Sequence, residues 1–162
     1  MRTLLVLRHA DTEHVRPGAG DHDRRLTPLG LAQAAALGDH LRAAGVGVDL
    51  ALCSSAVRAR QTLDAARPGC AVRVCPELYN AGAGEILEQI RQVSESVRAL
   101  VVVGHAPGLP ALAHDLADPA TSEPGALEVL ERRFPPCTLA TLRVDDQWSG
   151  LRSAALEQVR LA

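Results

Sequence analysis

The chain has 162 residues, a formal net charge of -2, 47% apolar residues and only 2% aromatic ones. That length fits one compact α/β domain over residues 1–162, with a core made of Leu, Val and Ala. The small net charge and scarcity of aromatic rings argue against a nucleic-acid binder, by electrostatic grip or by base stacking. No apolar run approaches a membrane span, and Met1-Arg2 leads straight into a strand rather than a signal segment. A soluble, cytoplasmic protein without a membrane partner is therefore expected.

The four cysteines, Cys53, Cys70, Cys75 and Cys137, match no CxxC or zinc spacing and read as reduced structural thiols. All 17 Lys-or-Arg positions are Arg. Beside the high Ala content this points to coding bias, so an Arg is not functional merely for not being Lys.

Along the chain, Thr3 to Leu7 is a wholly apolar run, the pattern of a strand buried on both faces of a parallel sheet. Residues 10–26 are polar and form a long loop. Thr27-Pro28 pairs an N-cap with Pro at the first helical position, and the helix runs to Gly45 with Leu29, Ala32, Ala36 and Leu41 on one face. A second strand covers Val48 to Cys53. Ser54-Ser55 then reads as a polar break and helix cap before AVRARQTLDAA. Ala71 to Cys75 is a short third strand, Glu85 to Arg98 a helix, and Ala99 to Val103 a fully apolar fourth strand. Two further helices, through LPALAHDLA and GALEVLERRF, precede a strand from Cys137 to Val144 suited to an edge or antiparallel position. The last segment fits helix or loop equally. Strands alternating with helices imply a three-layer α/β/α sandwich around a mostly parallel, doubly wound sheet.

Ligands of such sheets bind beyond the carboxyl ends of the parallel strands. Arg8-His9 ends the first strand, Ser54-Ser55 and Arg58 follow the second, and Gly104-His105 ends the fourth. Two imidazoles and two guanidiniums on one rim suit a phosphoryl group. Arg offers a planar fork for phosphate oxygens, and a neutral imidazole can attack phosphorus. Thr12 and Ser55 could donate hydrogen bonds to phosphate, His22 could line the pocket mouth, and Glu77 could serve as an acid. His14, His40, His114 and the Arg132-Arg133 pair read as solvated or core-edge groups. No metal-ligand spacing is present, so neither metal nor cofactor is expected.

Three stretches, LLVLRHADTE, CSSAVRARQT and VVVGHAPGL, resemble in order the signatures of the histidine phosphatase superfamily. The short length, Arg-His-Ala and GDHDRRLTPLG are most similar to its SixA-like phosphohistidine phosphatases. The resemblance implies a phosphoglycerate mutase-like fold, His9 as phosphorylated nucleophile, and Arg8, Arg58 and His105 as phosphoryl clamps. The implied partner is a phosphorylated protein carrying phosphohistidine. Other members carry a general-acid Glu after the third strand, but PELYNAG puts Asn80 in that register, with Glu77 and Glu85 nearby. An alkoxide leaving group needs a proton; a phosphohistidine can leave as imidazole. The alternatives are a phosphomonoesterase on a small metabolite, with Glu77 or Glu85 as acid, and a non-catalytic phosphate-binding module.

Overall fold

The apolar runs at Thr3, Leu50 and Leu100 become the centre of one six-stranded sheet. The computed structural model describes residues 1–162. Its strands are β1 (Arg2–Arg8), β2 (Leu50–Ser54), β3 (Ala71–Cys75), β4 (Ala99–Gly104), β5 (Leu139–Val144) and β6 (Ala155–Arg160). Its helices are α1 (Pro28–Ala43), α2 (Val57–Ala66), α3 (Ala83–Arg91), α4 (Gly108–Leu116) and α5 (Pro124–Arg132). The strand order is β3-β2-β4-β1-β5-β6. The first four of these run parallel, while β5 pairs antiparallel with both β1 and β6.

Side chains alternate across the sheet, so each face carries its own core. Leu4, Val6, Leu52, Leu100 and Val102 face α3, α4 and α5, meeting Ile86, Ile90, Leu112, Leu116 and Leu130. Leu5, Leu7, Ala51, Cys53, Val101 and Val103 face α1 and α2, meeting Ala34, Leu37, Ala59 and Leu63. The three-layer α/β/α sandwich expected from the strand-helix alternation is the architecture found. No helix is long and apolar enough to cross a membrane.

Several local expectations change. The final segment is neither helix nor loop: β6 pairs with β5, across a register shift at Thr141/Leu142. With β6 outside it, β5 is an interior strand rather than an edge. Helix α3 stops at Arg91 instead of continuing to Arg98. The chain beyond is tied down by Glu95, whose carboxylate accepts from the Trp148 and Ser149 amides and pairs with Arg2. In α1 the buried face is Gly30, Ala34, Leu37 and Gly38, while Leu29 is 60% exposed. The apolar spacing misled because two of the buried positions, Gly30 and Gly38, carry no side chain and pack directly against backbone.

Gly38 shows how close that approach is. A Cβ there would run into the Ala66 carbonyl on α2. Ordinarily Gly to Ala inside a helix gains about 1 kcal/mol. Gly38→Ala should instead destabilise by about 2 kcal/mol, lowering Tm by about 4–8 °C in a thermal melt. Gly125→Ala in α5, where a Cβ meets open space, is the control and should be neutral or slightly stabilising.

Candidate active site

The carboxyl ends of β1, β2 and β4 bring Arg8-His9, Ser54 and Gly104-His105 to one rim, as parallel topology requires. The end of β1 is held on both sides. The His9 amide donates to the Gly104 carbonyl at 3.0 Å, and the Cys137 amide donates to the His9 carbonyl at 2.9 Å. The signature residues of α2 complete the hold. Thr62 Oγ1 accepts from the Ala10 amide at 2.9 Å and donates to the Arg58 carbonyl at 2.7 Å. One hydroxyl thus couples the His9 turn to the helix carrying Arg58. Gln61 Oε1 accepts from the Leu26 amide at 2.8 Å, fixing the far end of the 10–26 loop. Asp11 closes that loop, accepting from the Thr27 hydroxyl at 2.6 Å and from its amide. Gly30 allows this, since a Cβ there would strike the Asp11 backbone.

His9 is 6% exposed and its Nδ1 lies 2.8 Å from the Ala10 carbonyl. A carbonyl only accepts, so Nδ1 carries the proton and the Nε2 lone pair is left free. Burial, with Arg58, Arg8 and Arg24 adding repulsion, pushes its pKa down to about 4 against the Ala10 hydrogen bond. The His105 ring lies 5.4 Å from that of His9. Burial first, then Arg58 and His9, push its pKa down to about 3. Both rings are neutral at physiological pH.

The Ser54 hydroxyl sits 2.8 Å from His105 Nε2 and accepts from the Ala56 amide at 3.2 Å. With its proton directed to Nε2, the donor left on His105 is Nδ1–H. Nδ1 is buried and unpartnered. The guanidiniums show the same half-satisfied state. Arg8 donates through Nη1 to the Phe134 carbonyl at 2.8 Å, and Arg58 donates to the Asp21 carbonyl and carboxylate at 2.7 and 3.0 Å. Both leave a buried Nε without a partner. Unpaired buried donors are rare and costly. Of the five such atoms in the protein, three belong to Arg8, Arg58 and His105; the others are Oγ1 of Thr138, whose carbonyl accepts from the Arg8 amide, and Nε of Arg2 at the opposite end of β1.

Other residues anticipated from sequence have different surroundings. Thr12 Oγ1 accepts from Arg24 at 2.6 Å, bracing the loop. Ser55 Oγ lies 3.0 Å from His22 Nε2, so these two meet each other at the mouth. Ser54-Ser55 is not the α2 cap: Ala56 takes that position, and Ser54 serves His105. Glu77 is exposed in a short 3-10 turn with no hydrogen bond to the site, and Glu85 caps α3 by accepting from the Gly82 amide. Asn80 is exposed with a φ of 56°, a left-handed turn that suits Asn. No group of three or more His, Cys, Asp or Glu side chains is arranged to hold a metal ion. Burial raises the thiols of Cys53 and Cys137, to about 12 and about 11, so they stay protonated.

Two residues not anticipated stand at the centre. Asp21, in the 3-10 turn Asp21–Asp23, accepts from Tyr79 at 2.6 Å, Arg58 at 3.0 Å and Arg24 at 3.1 Å. The Tyr79 hydrogen bond first, then those from Arg24 and Arg58, hold its carboxyl far below the usual carboxylate range. The acceptor in turn raises the Tyr79 phenol. The one available signal was the DHDRR cluster with a lone Tyr among few aromatics.

Comparison with known proteins bears on this arrangement. Residues 4–101, more than half the chain and including His9 and Arg58, match the model of the histidine phosphatase superfamily, branch 1. The chain belongs to that superfamily. It is a histidine-type phosphatase. An uncharacterised protein of Mycobacterium tuberculosis strain H37Rv is 39% identical over 145 residues, covering 90% of this chain and 91% of that one. A structure from Nakamurella multipartitia, described as a candidate phosphohistidine phosphatase SixA, superposes with a TM-score of 0.88 at 38% identity, over 99% of this chain and 95% of that one. Another candidate of the same description, from Agrobacterium tumefaciens, gives 0.82 at 30% identity over 99% of both chains. The phosphoglycerate mutase-like fold is thereby established.

The neutral burial of two imidazoles has a thermodynamic sign. Unfolded, both rings take up protons near pH 6.5; folded, they resist until about 4 and about 3. Within that interval the unfolded state binds more protons, so stability falls as pH falls from 6.5 toward 4. Asp21, with its depressed carboxyl, loses its contribution only at lower pH. Tm should drop by about 10 °C or more between pH 7 and pH 4.5. His105→Asn should flatten that slope, and a pH-independent Tm in the wild type would contradict neutral burial.

Proposed function

We propose that the protein is a metal-independent phosphatase that takes the phosphoryl group of a protein phosphohistidine onto His9 and passes it to water. The observation that carries this reading is the set of buried, unpartnered nitrogens on Arg8, Arg58 and His105, with the His105 ring 5.4 Å from a His9 whose Nδ1 is committed to the Ala10 carbonyl. Charge in phosphoryl transfer spreads over the equatorial oxygens, so fixed donors around them do most of the work.

In the first step the His9 Nε2 lone pair attacks phosphorus. The P–N bond of the substrate breaks, and its electron pair leaves with the substrate imidazole. In the second step a water oxygen attacks phosphorus, the bond to His9 breaks, and orthophosphate leaves with the surplus proton passing to solvent. His9 returns as the neutral ring it began as. Arg8, Arg58 and His105 hold the oxygens throughout.

The substrate class follows from a proton inventory. An alkoxide must be protonated as it departs, a service worth about 10²–10⁴-fold. No carboxyl group of the site is placed to supply that proton. Asp21 is ionised, His9 and His105 are neutral, and the Tyr79 proton is committed to Asp21. Glu85 is spent on a helix cap and Glu77 faces solvent. A ring-protonated phosphohistidine leaves as neutral imidazole and asks for no acid. The SixA candidates at 38% and 30% identity support the same class.

The test is phosphate release, in EDTA, from a phosphohistidine-bearing carrier protein and from a panel of alkyl phosphates. Release from the carrier should exceed that from the esters by at least about 100-fold. His9→Ala should lower turnover by about 10³-fold or more. Ester-selective release would identify a small-metabolite phosphomonoesterase, and no release from either a phosphate-binding module. Activity lost to EDTA, or kept by His9→Ala, would overturn the metal-independent His9 mechanism.

A further inference from the structure

The chain holds one Trp, one Phe and one Tyr. Trp148 is fully buried in the core and Phe134 is buried in the wall that holds Arg8. Tyr79 alone is part-exposed, and it stands at the site. It belongs to a row of four rings in successive contact: His9 to His105 at 5.4 Å, His105 to Tyr79 at 5.6 Å, and Tyr79 to His22 at 4.9 Å. The row runs from deep to open, from buried His9 to part-exposed His22.

Both outer rings are fixed in place. The Tyr79 hydroxyl donates to Asp21, its ring stands edge-on to His105 and His22, and the Arg58 Cζ lies 5.9 Å from its centre. His22 is tied to Ser55 through Nε2. Neither ring is needed to bind a phosphoryl group, whose oxygens meet Arg8, Arg58 and His105. Displacement in line requires the leaving group to depart on the side of phosphorus away from His9. Tyr79 and His22 are the ring side chains at the open end of that row.

We infer that Tyr79 and His22 form a leaving-group subsite that accepts a planar imidazole ring. The inference rests on the phosphohistidine reading and specifies where the substrate ring sits. Edge-on and offset contacts between preorganised rings favour a flat heteroaromatic guest over an aliphatic one. The Asp21 carboxylate, hydrogen-bonded to Tyr79, fixes the Tyr79 ring in this orientation.

Two small substrates isolate the effect. Phosphoimidazole and phosphoramidate both present a P–N bond, but one releases imidazole and the other ammonia. The readout is the ratio of their kcat/KM values in the wild type, Tyr79→Phe, Tyr79→Ala and His22→Ala, with folding checked by thermal melting. The ratio should fall about 10-fold in Tyr79→Ala and several-fold in His22→Ala, and stay within about twofold in Tyr79→Phe, which keeps the ring. A parallel loss on both substrates, leaving the ratio unchanged in Tyr79→Ala, would overturn the subsite. So would an equal drop in the Phe and Ala variants, which would trace the effect to the Asp21 hydrogen bond. A wild type that cleaves esters but neither P–N compound would overturn the phosphohistidine reading itself.

Discussion

The ion pair between Arg58 and Asp21 is what allows a cation to sit buried among two imidazoles and a second guanidinium. Arg58 has a side chain only 6% exposed, and the Asp21 carboxylate 3.0 Å away is its compensating charge. A buried charge stripped of its partner costs several kcal/mol. The same carboxylate receives Tyr79 and Arg24, so one acidic side chain in a short turn ties Arg58 to the mouth of the site. Because Arg58 is held through its terminal nitrogens, its Nε stays unspent. The stabilising contact and the vacant donor are two edges of one planar group.

The neutrality of His9 and His105 follows from the same electrostatics. Two guanidiniums and low water access make a second and third cation unfavourable, so both rings hold their lone pairs well below neutral pH. For His9 the Ala10 carbonyl decides which nitrogen keeps the proton. Thr62 then couples that turn to Arg58, and Ser54 sets the orientation of His105. In the proposed mechanism His9 is thus ready before any substrate arrives, and no step requires it to give up a proton.

Much of this was legible in the sequence where chemistry coincides with regular structure. Arg8-His9, Arg58 and His105 stand at strand ends or in the first turn of a helix, and a parallel sheet must gather those positions. Asp21 and Tyr79 were not legible, because one lies in a 3-10 turn and the other just after one, without periodicity, and only side-chain geometry shows where they point. Ser54 looked like a helix cap because Ser commonly is one; burial at the end of β2 gives it to His105 instead. The face of α1 was misjudged because Gly30 and Gly38 matter for what they lack. The C-terminal strand stayed ambiguous because its apolar alternation is short and its pairing with β5 passes through a register shift.

The most direct test of the account is the chemical form of the phosphorylated intermediate. Rapid quenching during turnover, followed by ³¹P NMR and peptide mapping under alkaline conditions, reports both the residue and the ring nitrogen that carries phosphorus. The account predicts an acid-labile phosphoryl group on Nε2 of His9, since Nδ1 is committed to the Ala10 carbonyl. Phosphorus on Nδ1, on His105, or on no residue during confirmed turnover would contradict it.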